Sequence, residues 1–162
     1  MKFIISRYNQ DIGWVKEYSD DVVIYDRSDE PVKGAIVVPN VGNCDYDKLC
    51  WIVENYDNLP PIFALIKANL FKYISKEEFD KVKDNKVFTP LLTKYHKTYE
   101  PVCRYVDGIY EEINNSWFVP QFQSKFSSYN EWAKSLGLPT PEYLRFAPGG
   151  NYIVTPKEIH KH

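Results

Sequence analysis

Apolar residues fall in blocks along the first half of this chain, and each block ends in polar side chains. Lys2-Phe3-Ile4-Ile5 is a β-type run that passes directly into Ser6-Arg7-Tyr8-Asn9-Gln10-Asp11. Ile12, Trp14 and Val15 then return at helical spacing. Asp21 to Tyr25 predicts a second strand, ended by Asp26-Arg27-Ser28-Asp29, and Ala35-Ile36-Val37-Val38 a third, ended by Pro39-Asn40. These runs are continuous rather than alternating, as in strands covered on both faces. A helix enters at Asn43 to Asp45, with Leu49, Ile52, Val53 and Tyr56 at helical spacing, and Asp57-Asn58-Leu59-Pro60-Pro61 stops it. Ile62 to Ile66 predicts a fourth strand, ended by Lys67-Ala68-Asn69.

Three helix starts carry a cap with an acid three places on: Ser75 with Glu78, Ser128 with Glu131, and Thr155 with Glu158. Pro156 stands at the favoured first helical position of the last. Residues 85–127, broken by Pro90, Pro101 and Pro120, read as irregular or inserted, with Arg104 to Ile113 either a short helix or a strand. The order predicts an α/β fold, with a mostly parallel central sheet and helices on both faces. Right-handed crossovers put all four strand ends on one edge. Arg7, Asp26, Asn40 and Lys67 are therefore expected to converge there, where α/β folds bind ligands.

Length and composition narrow this picture. The 162 residues suit a single domain, and 44% are apolar. Lys plus Arg number 20 against 22 Asp plus Glu, a balance that disfavours a general nucleic-acid polymer or membrane surface as partner. Aromatics reach 16%, with 13 Tyr, which suits either a packed core or stacking on sugars and bases. No apolar stretch of about 18 residues predicts a transmembrane span, and Phe3-Ile4-Ile5 is too short for a signal-peptide core. Cys44, Cys50 and Cys103 lack metal-type spacing and fit reduced thiols in a cytoplasmic protein.

The chain has no glycine-rich dinucleotide or P-loop motif and no serine-hydrolase elbow. The last histidines, His160 and His162, read as a solvated tail. Asp45-Tyr46-Asp47 spells D-x-D, a pair of hard oxygen ligands able to hold Mn²⁺ or Mg²⁺ on a diphosphate. The same two acids also suit the positive end of a helix dipole.

Asn40-Val41-Gly42 followed by Ile52-Val53-Glu54-Asn55-Tyr56-Asp57-Asn58-Leu59-Pro60 resembles a family of poorly characterised domains. Segments like Ser6-Arg7-Tyr8-Asn9, Ile24-Tyr25-Asp26-Arg27 and Pro148-Gly149-Gly150-Asn151-Tyr152-Ile153-Val154 recur there in the same order. Those domains look like small GT-A glycosyltransferases, among them a chlorella-virus capsid glycosyltransferase domain. The resemblance implies a single GT-A-like, Rossmann-type domain over 1–162 that transfers a hexosyl group from a nucleotide-sugar to a glycan or protein acceptor. On it, Ser6, Arg7, Tyr8, Asn40, Asn43, Lys67 and Asn69 bind the donor, and Gly149, Gly150 and Asn151 face the acceptor. Asp26, Asp45 and Asp11 are the candidate bases, and Asp45 with Asp47 the candidate metal ligands. Where the family carries an acid after N-V-G-x, this chain has Cys44, and the strand end at Lys67 has no carboxylate, so Lys67 or Arg7 stands in for a metal at the diphosphate. The chain ends barely into its last helix, as in a truncated or minimal domain. A non-catalytic nucleotide- or carbohydrate-binding module and a protein-interaction domain are the alternative expectations.

Overall fold

The structure, a computed structural model, describes residues 1–41, 43–92, 103–106, 109–114, 125–146 and 150–161. The chain divides into two compact units, Met1–Tyr95 with Pro148–His162, and His96–Ala147. The first unit holds a sheet of six strands in the order β3-β2-β1-β4-β9-β5. Here β1 is Lys2–Arg7, β2 Val22–Asp26, β3 Ile36–Val37, β4 Phe63–Lys67, β5 Thr89–Pro90 and β9 Tyr152–Val154. Strand β1 pairs in parallel with β2 and β4, and β2 with β3. Strand β9 runs antiparallel to β4 and to β5. The sheet is thus mixed, parallel on one side of β4 and antiparallel on the other.

Side chains of β1 alternate between two apolar layers, as the period of a strand requires. Phe3 and Ile5 join Val15, Ala64, Ile66, Leu70 and Phe79 on one face. Ile4 joins Tyr25, Trp51, Phe63, Leu65 and Val154 on the other. The first layer is covered by the 3-10 turn Gly13–Glu17, a second 3-10 turn Leu70–Lys72, and helix α2, Lys76–Val82. The second is covered by α1, Asn43–Glu54, and by Ile159 of the short helix α4, Pro156–Ile159. The aromatic wealth fills the first layer: Phe79 meets Phe3, Tyr18 and Phe71 with ring centroids 6.4, 5.0 and 6.0 Å away. Trp14 Nε1 donates to Ala68 O at 3.1 Å, which ties the first turn to the end of β4.

Two expectations about exposure are corrected. Strand β3 is two residues long and open, with Val37 66% exposed, because it is the sheet edge and has no partner beyond it among the described residues. Helix α1 turns part of its expected apolar face outward, with Leu49 61% and Val53 72% exposed, while Ile52 packs against the second layer. It buries Cys44, Asp47, Lys48 and Trp51 instead. The reason is charge: Asp47 and Lys48 have partners inside the unit, described below, that their apolar neighbours cannot replace.

The caps expected at α2 and at α3, Tyr129–Ser135, are present, with Ser75 and Ser128 accepting from Glu78 N and Glu131 N. At α4 the Thr155 N–H donates to Glu158 at 3.2 Å. The second unit carries α3 and the antiparallel sheet β6-β7-β8, with β6 Cys103–Val106, β7 Ile109–Ile113 and β8 Tyr143–Phe146. Strands β5, β6 and β7 thus lie inside the stretch expected to be irregular. No helix among the described residues is long and apolar enough to cross a membrane.

Phe79 is fully buried at the centre of the aromatic layer. Phe79→Ala is expected to cost about 3–5 kcal/mol, read as a fall in the urea midpoint of the first unit. A loss below about 1 kcal/mol would show that the layer closes over the gap.

Candidate functional site

The chain leaves β1 and runs outward through β2 and β3, then returns to place β4 on the other side of β1. The strand order therefore reverses at the carboxyl ends of β1 and β4, the position where open α/β sheets bind ligands. A cleft of about 450 Å³ opens there. Ser6, Arg7, Tyr8 and Gln10 line it from the end of β1, and Arg27 from the end of β2. Asn40, Asn43 and Cys44 line it from the segment entering α1, and Lys67, Asn69 and Tyr73 from the end of β4. All seven residues expected to bind a donor are thus brought to one cavity. Gln10, Arg27, Cys44 and Tyr73 lie outside that expected set, although Gln10 and Arg27 stand in the polar segments that end the first two predicted strands.

Among the described residues the lining contains three cations and no carboxylate. Arg7 donates through Nε to Gln10 O at 2.8 Å and through Nη1 to Asp26 at 2.6 Å and Ser28 Oγ at 2.8 Å. Arg27 donates through Nη2 to Asp47 of α1 at 2.5 Å. Lys67 has no carboxylate within ion-pair distance among the described residues, and its Nζ lies 5.0 Å from the centre of the Tyr73 ring. Asn43 adopts φ 56°, a left-handed conformation that asparagine tolerates, and its Oδ1 accepts from Cys44 N at 2.8 Å. That bend delivers the first turn of α1 to the cleft wall.

The three candidate bases take three different places. Asp26 lies under the cleft with no exposed surface. Its Oδ1 accepts from Ser28 N and Oγ, and its Oδ2 from Arg7 and Val32 N. Burial opposes its charge, yet the hydrogen bonds from Ser28, Val32 and Arg7 together hold its carboxyl below the usual range. With its lone pairs taken, Asp26 anchors Arg7 and has none to offer an acceptor hydroxyl. Asp11 accepts from Gly13 N at 3.1 Å in a surface turn and does not line the cavity. Asp45 stands beside it with its side chain 67% exposed. Its Oδ1 is 3.3 Å from Lys48 Nζ.

The two acids of the D-x-D pair take different partners. Asp45 turns to Lys48 while Asp47 is buried against Arg27, so their carboxylates diverge. Among the described residues no three His, Cys, Asp or Glu side chains converge on a point. Burial pushes the Asp47 carboxyl up, opposed by Ser6, Arg27 and Lys48. Asp47 Oδ2 and Arg27 Nε are both buried without a hydrogen-bond partner. The Ser6 hydroxyl, which donates to Cys44 O at 3.1 Å, turns to Asp47 only by releasing that carbonyl.

Gly149, like Gly42 of the N-V-G turn, lies outside the described residues. Gly150 has φ +65°, and its carbonyl accepts from the buried Lys48 Nζ. A methyl group on Gly150 would meet Lys48 Nζ at 3.5 Å, and Asp45 Oδ1 and Lys67 Cε at 3.7 Å each. Asp45 and Lys67 therefore flank one point at the lip of the cleft. Asn151, expected on the acceptor side, is instead fully buried, and its Oδ1 accepts from Lys67 N at 2.8 Å. Lys48 Nζ also lies 5.4 Å from the Tyr152 ring centre. Burial, with Asp45 and Cys44 nearby, pushes the Tyr152 phenol up to about 12. Burial likewise raises the Cys44 thiol, which argues against a nucleophile there. Cys44 and Cys50 are free thiols.

Asp26→Ala leaves the largely buried Arg7 cation unpaired and is expected to cost about 3–5 kcal/mol in urea unfolding. The Asp26 carboxyl is depressed in the fold, so its contribution is complete above the ordinary value of 3.8 and is lost as pH falls below it. An acid titration of stability should accordingly be shallower below that pH for Asp26→Asn than for the native chain. Gly150→Ala finds ordinary contact distances but must hold a left-handed backbone, at a cost of about 1–2 kcal/mol readable by thermal unfolding.

Set against models of known protein families, curated proteins and solved structures, the chain matches none of them.

Proposed function

We propose that the first unit is a GT-A-like domain that binds a nucleotide-sugar in this cleft and transfers the sugar to a glycan or protein hydroxyl. The observation that carries the reading is the lining itself: among the described residues it holds Arg7, Arg27 and Lys67 and no carboxylate, and Lys67, unlike the two arginines, has no acidic partner. Such a cavity suits an anionic ligand with a polar body. Tyr8 and Tyr73 offer flat faces, and Asn40, Asn43 and Asn69 offer amides to ribose or sugar hydroxyls.

In the reaction the bond between the anomeric carbon and the diphosphate oxygen breaks, and the diphosphate leaves with the electron pair. The acceptor oxygen forms the new bond to carbon, and its proton passes to Asp45. Lys67 stabilises the charge that grows on the leaving oxygen. Asp45 is the carboxylate for this role because it is open to an acceptor and shares the cleft lip with Lys67. Asp47 is committed to Arg27, so the D-x-D pair does not fit a metal ion and no step is drawn through one. The absence of a carboxylate in the lining favours a second reading, a donor-binding module without turnover.

Thermal-shift screening against UDP- and GDP-sugars, with and without Mn²⁺, followed by assay of donor hydrolysis, separates the two. Sugar transfer expects a donor that stabilises the chain and is slowly hydrolysed. Asp45→Asn should bind it unchanged while hydrolysis falls about 10²–10⁴-fold. Lys67→Ala should weaken donor binding at least about tenfold. Binding without turnover supports the module, and no response to any nucleotide-sugar ends both readings.

A further inference from the structure

The three cations of the cleft are not equivalent. Arg7 is spent on the protein, its Nε on Gln10 O and its Nη1 on Tyr8 O, Asp26 and Ser28. Arg27 is not. It meets Asp47 through Nη2, while its Nε and Asp47 Oδ2 are left buried and unpartnered. An arginine and a carboxylate ordinarily meet through two parallel bonds. A buried donor and a buried acceptor left unmet each cost free energy. The pair is therefore arranged for something besides stability.

Position supplies the rest. The Arg27 side chain is only 6% exposed, yet it lines the cleft. Lys67 faces the same cavity from the other side of β1. Strands β2 and β4 both border β1, so the two cations reach in from backbones about 10 Å apart. Asn43 and Cys44, at the head of the twelve-residue helix α1, form the wall with them. First-turn N–H groups of a helix have no acceptor within it and carry the positive end of its dipole.

We infer that this end of the cleft is a diphosphate seat, in which Arg27 takes one phosphate and Lys67 the other above the head of α1. Asp47 is the positioning residue that fixes the direction of Arg27. A lone phosphate meets one cation at full strength, whereas a diphosphate spans both. Arg27 thus sets the preference for two linked phosphates over one. The inference deepens the donor reading above but rests on it only for the remainder of the ligand.

Calorimetric titration of the whole chain with inorganic pyrophosphate and with inorganic phosphate tests it. The native chain should bind pyrophosphate at least about tenfold more tightly than phosphate. Arg27→Gln should erase that preference, and Arg27→Lys, which keeps the charge without the fork, should reduce it at least about threefold. Asp47→Asn should lower pyrophosphate affinity while leaving phosphate affinity in place, a split that general loosening of the fold would not produce. Lys76→Gln, on the exposed face of α2, should change neither. Equal affinity for the two anions in the native chain overturns the inference. So does a preference that survives in folded Arg27→Gln or, where that variant fails to fold, one left undiminished in Arg27→Lys. If pyrophosphate shows this pattern and no UDP- or GDP-sugar binds, the seat stands and the sugar-transfer reading falls. If nucleotide-sugars bind and Arg27 variants are indifferent, the seat alone falls.

Discussion

Buried charge organises the binding edge of this fold. Arg7 and Arg27 end consecutive strands, and each is held by a carboxylate with no exposed surface, Asp26 and Asp47. Removing one member of such a pair strands the other in a poor dielectric, which typically costs about 3–5 kcal/mol. The two pairs differ in completeness. Asp26 is saturated by Ser28, Val32 N and Arg7, so its arginine is fixed as part of the scaffold. The Asp47 pair leaves one donor and one acceptor unmet. The same contrast explains the orientation of α1, which turns Leu49 and Val53 to solvent so that Asp47 and Lys48 can face inward.

The antiparallel side of the sheet contributes as directly as the parallel side. Asn151, just before β9, accepts from Lys67 N through its side chain and from Leu91 N through its carbonyl. It thereby joins the end of β4 to the segment after β5. Gly150, one residue earlier, takes the left-handed bend that lets its carbonyl receive Lys48. Thus β9 sets the height at which Lys67 enters the cleft, and α1 is pinned to the same loop.

Much of this edge was legible because the chain changes character abruptly where each strand stops. An apolar run followed at once by Ser6-Arg7-Tyr8, by Asp26-Arg27 or by Lys67-Ala68-Asn69 marks both the strand and the direction in which its polar tail points. The crossover rule then gathers those tails on one edge, and the seven expected donor-side residues share one cavity. What periodicity could not show was which face of α1 is buried. The apolar positions Leu49, Ile52, Val53 and Tyr56 outweigh Asp47 and Lys48 in any pattern count, yet the Arg27–Asp47 ion pair and the Lys48–Gly150 hydrogen bond turn Leu49 and Val53 outward. Asp26 was misjudged for a related reason. A carboxylate at a strand end looks available until the four donors around it are located, and those come from separate segments. The pairing of β9 with both β4 and β5 is equally non-local.

Charge bookkeeping then says what kind of ligand such a cleft selects. Asp26 and Asp47 cancel most of the field of Arg7 and Arg27 from below, and Asp45 offsets Lys48 at the lip. What remains uncancelled is Lys67 together with the partial charge at the head of α1. A single lysine and the end of a helix attract anions in general, so total charge discriminates little among them. Discrimination must instead come from direction. Arginine presents a rigid fork that rewards a phosphate placed in its plane, whereas lysine acts as a point charge and accepts a wider range of approach. A fork on one side of β1 and a point charge on the other select the separation of two charges more strongly than their sum. That is the property a site needs if it is to bind a linked diphosphate while ignoring the far more abundant single phosphate.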